Sequence, residues 1–310
     1  MADILGIDTS NYTTSAALLR SGKMYQGKKL LPVKRGELGL RQSDAVFHHV
    51  AQLPEVLDAL PFSGSEIAAV GVSDRPRSVK GSYMPCFLAG VAAAAAAAKA
   101  RNVPLYRFSH QMGHIAAALY SAGKLDLLKR KFIAFHVSGG TTEAVVASPD
   151  GENVFRTELA AKSLDLKAGQ AVDRVGAMLG LPFPAGPELE KLALRSKARF
   201  SVRPVLKGAD CSLSGIENQC LAKRKRGDPK EDIASFCLFS VLAALDGMAG
   251  ALRRKYGNLP ILFAGGVSSN GILRRALERK YGAYFAQPEY SADNAAGVAV
   301  LAAVKGGYPV

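Results

Sequence analysis

The sequence predicts an α/β protein built from two similar lobes. Short apolar runs typical of buried strands alternate with longer stretches whose apolar residues recur at helical spacing. One arrangement occurs twice, at 4–19 and at 132–147: an apolar strand, a polar turn rich in Gly, Ser or Thr, and a returning strand. Because the same local pattern folds in the same way each time, we expect the two lobes to share a topology.

Local patterns predict the individual elements. Strands are expected where an apolar run is short, and helices where a capping residue precedes helical spacing. The predicted strands are 4–10, 14–19, 104–106, 132–137, 143–147 and 260–264; the predicted helices are 44–60, 87–99, 109–120, 167–179, 187–195, 232–256, 270–280 and 295–304. The segment 123–131 separates the lobes. The N-terminal lobe is therefore predicted as 1–122, completed by a C-terminal helix at 293–310, and the C-terminal lobe as 123–292.

Composition restricts the functional classes. The chain of 310 residues carries a formal charge of +14, which favours an anionic partner such as a nucleic acid or a phosphorylated ligand. The four cysteines are far apart without a CxxC pair, which argues against a zinc knuckle or a dense disulfide framework. The Ala-rich stretch 91–100 is too short to span a bilayer, and the N-terminus has no signal-peptide pattern. We expect a cytoplasmic protein with no membrane partner.

Two histidines on one predicted helix suggest a metal site. Ser109 is a good N-cap, so His110 and His114 lie one turn apart and can direct both imidazoles at one ion. The alternative is a pair of packed or surface imidazoles. Two imidazole ligands favour iron or zinc over magnesium.

Three polar turns are candidates for binding phosphate. They are Asp8-Thr9-Ser10, the run Ser138-Gly139-Gly140-Thr141-Thr142, and Gly265-Gly266 before a helix. Glycine lets a ligand approach the backbone closely, and hydroxyl and amide groups hydrogen-bond oxygens. Each turn taken alone also fits an ordinary connection.

Carboxylates occur at two further predicted helix starts. Asp165 and Asp173 flank Gly169 and Gln170, so a carboxylate there is a candidate for holding ribose hydroxyls. The alternatives are a helix cap for Asp165 and a solvated charge for Asp173. Asp293 lies at the start of the last helix, where a plain cap is an equally good interpretation.

Together these motifs resemble the TsaD family, the threonylcarbamoyl transferases of tRNA modification, along nearly the whole chain. The resemblance implies a hexokinase/actin-like (ASKHA) fold of two ribonuclease-H-like lobes with a nucleotide in the central cleft. The family's HxxxH helix and late aspartate imply that His110, His114 and Asp293 hold one divalent metal. Its VSGG, aspartate, glycine and GGVxxN motifs imply an adenylate-binding set: His136, Val137, Ser138, Gly139, Gly140, Asp173, Gly186, Gly265, Gly266 and Asn270.

Family chemistry implies the reaction. A threonylcarbamoyl group passes from threonylcarbamoyl-adenylate to the adenosine beside a tRNA anticodon, with Asp8, Ser10, Gly139 and Gly140 as the catalytic candidates. The implied partners are tRNA, a TsaB-like protein and a small ATPase. Another possibility on the same fold is a carbamoyl transferase or ATPase that acts on a small molecule.

The chain also departs from the family pattern. The family's N-terminal turn typically reads ETSCDET, whereas residues 8–14 here read DTSNYTT, so that Tyr12 replaces a carboxylate. Thr141, Gln170 and Met112 replace a His and two Glu, and the GPG loop is altered at 75–85. These changes lie at the substrate end of the pattern. They predict a divergent paralogue, and they suggest as an alternative a nucleotide-binding regulatory or assembly protein without acyl transfer.

Three basic segments are candidates for contacting a tRNA backbone. They are 195–203, 223–230 and 253–255. Solvated surface charge is the alternative.

Overall fold

The computed structural model describes residues 2–10, 12–32, 40–64, 66–292 and 295–310. The chain forms two compact units. The first contains Met1–Leu128, Pro149–Thr157 and Ala292–Val310, and the second contains Lys129–Ser148 and Glu158–Ser291. The N-terminal and C-terminal segments therefore belong to the same unit.

The strands in the described residues are β1 (Asp3–Asp8), β2 (Thr13–Arg20), β3 (Lys23–Leu30), β4 (Ile67–Arg75), β5 (Leu105–Ser109), β6 (Phe132–Val137), β7 (Thr142–Asp150), β8 (Val154–Lys162), β9 (Val205–Lys207), β10 (Asp210–Ser212), β11 (Ile261–Ala264) and β12 (Tyr284–Phe285). The helices are α1 (Gln42–Asp58), α2 (Phe87–Arg101), α3 (His110–Ser121), α4 (Ala168–Met178), α5 (Gly186–Ala193), α6 (Gly215–Lys225), α7 (Lys230–Tyr256), α8 (Gly271–Tyr281) and α9 (Ala296–Gly306).

The two main sheets repeat one topology. The first has the order β3-β2-β1-β4-β5, with β1 antiparallel to β2 and parallel to β4. The second has the order β8-β7-β6-β11-β12, with β6 antiparallel to β7 and parallel to β11. The predicted α/β class is confirmed. In each sheet the central strand is the one that leads into a polar turn.

The first unit buries both faces of its sheet. Leu5 and Ile7 of β1 pack in a core with Ala94 and Ala98 of α2. Gly6 points to the opposite face, because side chains alternate along a strand, and there α9 packs against β1. A Cβ on Gly6 would lie 2.5 Å from the carbonyl oxygen of Ala295. The small residue therefore sets how closely the last helix approaches the first strand.

The second unit is organised around α7. This is the helix in the described chain with the length and apolar character of a membrane-crossing helix, with a mean hydropathy of 1.7 over 18 residues, and 67% of that window is buried. It packs against α5, α6, α4 and α8, as the core helix of a folded unit does. On the sheet, the rings of Phe135 and Phe263 stack with centroids 4.6 Å apart, and Phe285 stacks on Phe263 at 5.0 Å.

Some elements differ from the sequence prediction. β3 and β4 were not expected, since β3 is a largely polar edge strand and the pattern of β4 includes Gly71 and Ser73. The segment 223–230 lies outside the predicted helices, but Lys223 to Lys225 form the last turn of α6. Cationic side chains near a helix C-terminus are favourable, so a charge run there does not terminate the helix.

Replacing Gly6 with Ala will destabilise the first unit by about 1–3 kcal/mol, because the added methyl overlaps Ala295 and Ala299. Urea unfolding measures this change. Gly151→Ala is the matched control, since a Cβ there meets no heavy atom within 4 Å. Equal stability of Gly6→Ala and the control would contradict the tight packing of α9 on β1.

Candidate nucleotide and metal sites

A cavity of about 470 Å³ lies within the second unit. Four backbone segments form it: the turn after β6, the first turns of α4, the loop leading into α5, and the turn after β11. Its lining residues are Gly139, Gly169, Val172, Asp173, Pro184, Gly186, Pro187, Glu190, Leu238, Gly266, Val267, Ser269 and Asn270. Mostly apolar walls with a few polar groups suit a nucleoside-sized ligand.

The first wall depends on a close contact between the turn after β6 and α4. The Gly169 N–H donates to the carbonyl oxygen of Ser138 at 3.1 Å. A Cβ on Gly169 would lie 2.6 Å from Gly139 Cα and N. The turn itself is closed by the Thr141 N–H, which donates to Ser138 Oγ at 3.1 Å. Gly139 is thereby held at the surface of the cavity.

The opposite wall is the turn from β11 to α8. Gly265 has φ +94°, a left-handed conformation that favours glycine, and a Cβ there would overlap the Val137 carbonyl. Asn270 caps α8, because its Oδ1 accepts from the N–H groups of Ile272 and Leu273 at 3.0 and 3.1 Å. This cap uses only the oxygen of Asn270, so the amide nitrogen is not consumed by it.

Two carboxylates stabilise the remaining wall. Asp173 Oδ1 accepts from the Ala185 N–H at 2.8 Å, which ties α4 to the loop before α5. Glu190 Oε1 accepts from the Gly271 N–H at 2.8 Å, which links α5 to α8. Sequence reasoning missed Glu190. Its position one turn after Gly186 on α5 was the available signal.

The structure brings together part of the predicted adenylate-binding set. Gly139, Asp173, Gly186, Gly266 and Asn270 line one cavity. The other predicted residues, which are His136, Val137, Ser138, Gly140 and Gly265, lie beside it on β6 and in the two turns but do not line it. Among them, Ser138, Val137 and Gly265 shape the walls through their backbones.

The predicted histidine pair lies at the start of α3 in the first unit. Ser109 caps the helix as expected, since its side chain accepts from the Met112 N–H. The His110 and His114 rings are edge-to-face with centroids 4.3 Å apart, and both are almost fully buried. Two imidazoles that close fit the donor set of a transition-metal site.

Asp8 supports His110. Its Oδ2 accepts from His110 Nδ1 at 2.9 Å, and its Oδ1 accepts from the Ser10 N–H at 2.8 Å. Burial alone would raise the pKa of Asp8, but the His110 charge and these hydrogen bonds outweigh it and lower the pKa below its ordinary value. A carboxylate on Nδ1 is the arrangement that orients a histidine ring for binding a metal through Nε2.

Ser10 lies on the other side of His110, with Oγ 3.4 Å from Nε2. The order Asp8, His110, Ser10 is that of a serine hydrolase triad. Ser10 is 0% exposed, and its hydroxyl contacts the His110 ring. The arrangement suits a supported metal ligand better than a nucleophile. No group of three His, Cys, Asp or Glu side chains suited to a metal occurs in the described residues, and Asp293 lies outside them.

Comparison with known proteins identifies the family. The family model described as tRNA N6-adenosine threonylcarbamoyltransferase, TsaD, matches residues 43–300. This chain belongs to the TsaD family. The curated relative from Thermosipho melanesiensis is 32% identical over 96% of this chain and 93% of its own length, and that from Halalkalibacterium halodurans is 31% identical over 97% and 90%. Both carry the name tRNA N6-adenosine threonylcarbamoyltransferase.

Solved structures show the ASKHA-type fold of this TsaD-family chain. Full-length HypF, in a phosphate- and nucleotide-bound form, superposes with a TM-score of 0.60 at 16% identity, over 98% of this chain and 55% of HypF. Component A of (R)-2-hydroxyglutaryl-CoA dehydratase from Acidaminococcus fermentans gives 0.57 at 17% identity, over 99% and 100%. At these identities the likeness concerns the fold.

Two of the residues that the sequence analysis singled out as departures, Gln170 and Met112, make specific contacts in the structure. Gln170 Oε1 accepts from the Lys167 N–H at 3.0 Å and so caps α4. Met112 is buried, and its sulfur accepts from Ser78 Oγ at 3.3 Å. Tyr12 is 43% exposed.

Asp165 is not the N-cap of α4, which is Lys167, and its carboxylate is committed to other donors. Its carboxylate accepts from the N–H groups of Leu213 at 2.7 Å and Leu166 at 2.6 Å, and from Ser214 Oγ at 2.7 Å. Partial burial alone would raise the pKa of Asp165, but these hydrogen bonds outweigh it and lower the pKa. The carboxylate therefore anchors the segment that leads into α6.

Asp165→Asn will lower the stability of the second unit by roughly 1 kcal/mol at neutral pH, since an amide accepts fewer of these bonds. A lowered folded-state pKa gives stability that is present above the ordinary value of 3.8 and is lost as pH falls through the folded value. Chemical unfolding of both proteins from pH 7 to pH 3 measures the difference. If the difference in unfolding free energy between the two proteins stays constant down to pH 3, this role of Asp165 is contradicted.

Proposed function

We propose that this protein transfers a threonylcarbamoyl group from threonylcarbamoyl-adenylate to the adenosine beside a tRNA anticodon. The observation that carries the proposal is the cavity lined by Gly139, Asp173, Gly186 and Asn270 in a chain of the TsaD family. The basic charge of +14 agrees with an RNA substrate. Because such a substrate is cytoplasmic, we assign the protein to the cytoplasm, with a TsaB-like protein and a small ATPase as partners.

The cavity residues bind and orient the adenylate in this proposal. Asp173 has one oxygen committed to Ala185 N–H and a second that accepts from ribose hydroxyls. Asn270 offers its amide nitrogen to the adenine. The transfer forms a C–N bond between the N6 amine and the carbamoyl carbon, breaks the bond from that carbon to the phosphate oxygen, and releases AMP and the amine proton. N–H groups at Gly139 and Gly140 face the developing negative charge.

The proposal includes a divalent metal, iron or zinc, held in the first unit. His110 and His114 are its ligands, with Asp293 as the third, and Asp8 holds His110 in the ligating orientation. When bound, the metal supplies a Lewis acid for phosphate or carbamoyl oxygens. Asp8 acts here as a positioning residue. Ser10, predicted as catalytic, also positions the His110 ring in this proposal.

One observation favours the second candidate, a nucleotide-binding regulatory or assembly protein without transfer. Asp8 is the sole carboxylate in the 8–14 sequence, and it is bound to His110. It is therefore not available as a base for the incoming amine. In that case adenylate binds tightly and is not consumed in the presence of tRNA.

In the deciding experiment, the purified protein and its partner proteins are incubated with threonylcarbamoyl-adenylate and unmodified tRNA. Modified adenosine is then measured by mass spectrometry. We expect product. Asp173→Asn keeps an acceptor for Ala185 N–H but loses the charge, so we expect adenylate affinity to fall about tenfold. Glu188→Gln is the matched control, since Glu188 pairs only with the exposed Lys191.

The outcomes separate the two candidates. Product formation supports the transferase. Binding by calorimetry without any product supports the nucleotide-binding alternative. No binding of an adenine nucleotide or adenylate rejects both, and equal affinity of Asp173→Asn and Glu188→Gln removes Asp173 from the site.

The metal proposal has its own test. After reconstitution with Fe²⁺ or Zn²⁺, we expect His114→Ala to lose most bound metal, and Asp8→Asn to bind 10–100-fold more weakly because the support of His110 is lost. Elemental analysis and competition with a chelator measure this. His48→Ala, a histidine on α1, is the control. Wild-type metal affinity in Asp8→Asn would contradict the supporting role.

A further inference from the structure

The second unit concentrates positive charge in the segment 195–230. This segment holds ten Lys or Arg and three Asp or Glu, so its net charge of +7 is half that of the whole chain. It comprises the connection after α5, the β9–β10 hairpin, α6 and the start of α7. We call the surface formed by its cations the basic surface.

The two ends of this segment meet in space. The Lys223 ammonium lies over the rings of Phe200 and Phe236, 5.0 and 4.9 Å from their centroids. Ser196 Oγ donates to Asp232 Oδ1 at 2.6 Å. These contacts hold the connection after α5 against α6 and α7. The cations of 195–203 and of 223–230 therefore form one surface.

Most of the acids on this surface are already engaged. Asp228 Oδ2 pairs with Lys223 and Arg226, both at 3.2 Å. In contrast, the side chains of six exposed cations make no hydrogen bond or ion pair with any described residue: Arg195, Lys197, Arg199, Arg203, Lys207 and Lys225. Their charge is uncompensated. A chain that keeps such charges together has a surface suited to a polyanion.

The basic surface reaches the rim of the cavity. Arg224 Nη1 donates to the carbonyl oxygen of Met178, the last residue of α4, at 2.6 Å. The loop that follows carries Phe183, whose side chain is 84% exposed, and then Pro184, which lines the cavity. An exposed aromatic ring beside a positive track is the combination that single-stranded nucleic acid binds, by stacking and phosphate contacts.

We propose that the basic surface binds the phosphate backbone of tRNA, with Phe183 stacking on an unpaired base near the cavity. The inference rests on the proposed function, because it places the RNA on the unit that holds the adenylate cavity. An anionic membrane is the less favoured partner. The best-exposed aromatic residue here lies beside a ligand cavity, whereas a membrane surface would favour a continuous apolar helix face.

The test compares two fourfold neutralised variants of the full chain. The first carries Arg195→Gln, Lys197→Gln, Arg199→Gln and Lys225→Gln. The control carries Lys99→Gln, Arg101→Gln, Lys129→Gln and Arg279→Gln, which remove the same charge from exposed positions elsewhere. Binding to unmodified tRNA is measured by fluorescence anisotropy at several salt concentrations, and adenylate binding by calorimetry confirms that each variant is folded.

We expect the first variant to bind tRNA at least tenfold more weakly, with the slope of log affinity against log salt reduced by about 3, while the control changes little. Phe183→Ala should weaken binding roughly fivefold with an unchanged slope, since stacking releases no counterions. Equal losses in the variant and the control would overturn the proposal. So would wild-type affinity in the first variant.

A parallel binding measurement with lipid vesicles distinguishes a tRNA partner from a membrane partner. Stronger binding of the wild type to phosphatidylserine vesicles than to tRNA, lost in the first variant, would also overturn the proposal. Failure of the wild type to bind tRNA at all would count against the proposed function itself. In contrast, if tRNA binding is unchanged by the four substitutions, only the assignment of the tRNA site to the basic surface is refuted.

Discussion

The missing side chain of Gly169 permits the contact on which the cavity depends. Its backbone reaches Ser138 and Gly139 so closely that a methyl group would not fit. The turn after β6 and the first turn of α4 therefore form one wall with no side chain between the backbone and a ligand. The opposite wall repeats this solution at Gly265, against Val137. At these two points the main chain can approach a ligand closely, while side chains such as Asp173 and Asn270 elsewhere in the lining can distinguish one ligand from another.

Carboxylates hold several of the turns and helix starts of this chain in place. Asp8 is bound to a histidine, Asp165 anchors the start of α6, and Glu190 bridges α5 and α8. Each satisfies donors that would otherwise be buried without partners, which costs more than a hydrogen bond gains. Asp173 differs, because it both ties a loop and lines the cavity. Substitution of such residues changes architecture together with chemistry.

Much of the architecture could be predicted from local pattern. The two strand-turn-strand repeats, the Ser109 cap and the limits of the predicted helices agree with the structure to within a few residues, because capping and periodicity are local, whereas α6 was not predicted. The edge strand β3 was missed, since its polar face has no alternation to detect. The roles of Asp8 and Asp165 were also beyond sequence reasoning. Their partners lie 102 and 48 residues away, and only the tertiary fold decides which donor reaches a carboxylate.

The closure of the first unit by α9 has a consequence for synthesis. β1 is synthesised before the second unit, whereas α9, the helix that packs on its Gly6 face, is synthesised after it. The second unit, by contrast, is nearly continuous between residues 129 and 291. Chains fold as their segments emerge, so the second unit can complete its core while the first still exposes one face of its sheet. The packing of α3 against α9 is therefore completed only after α9 has been synthesised.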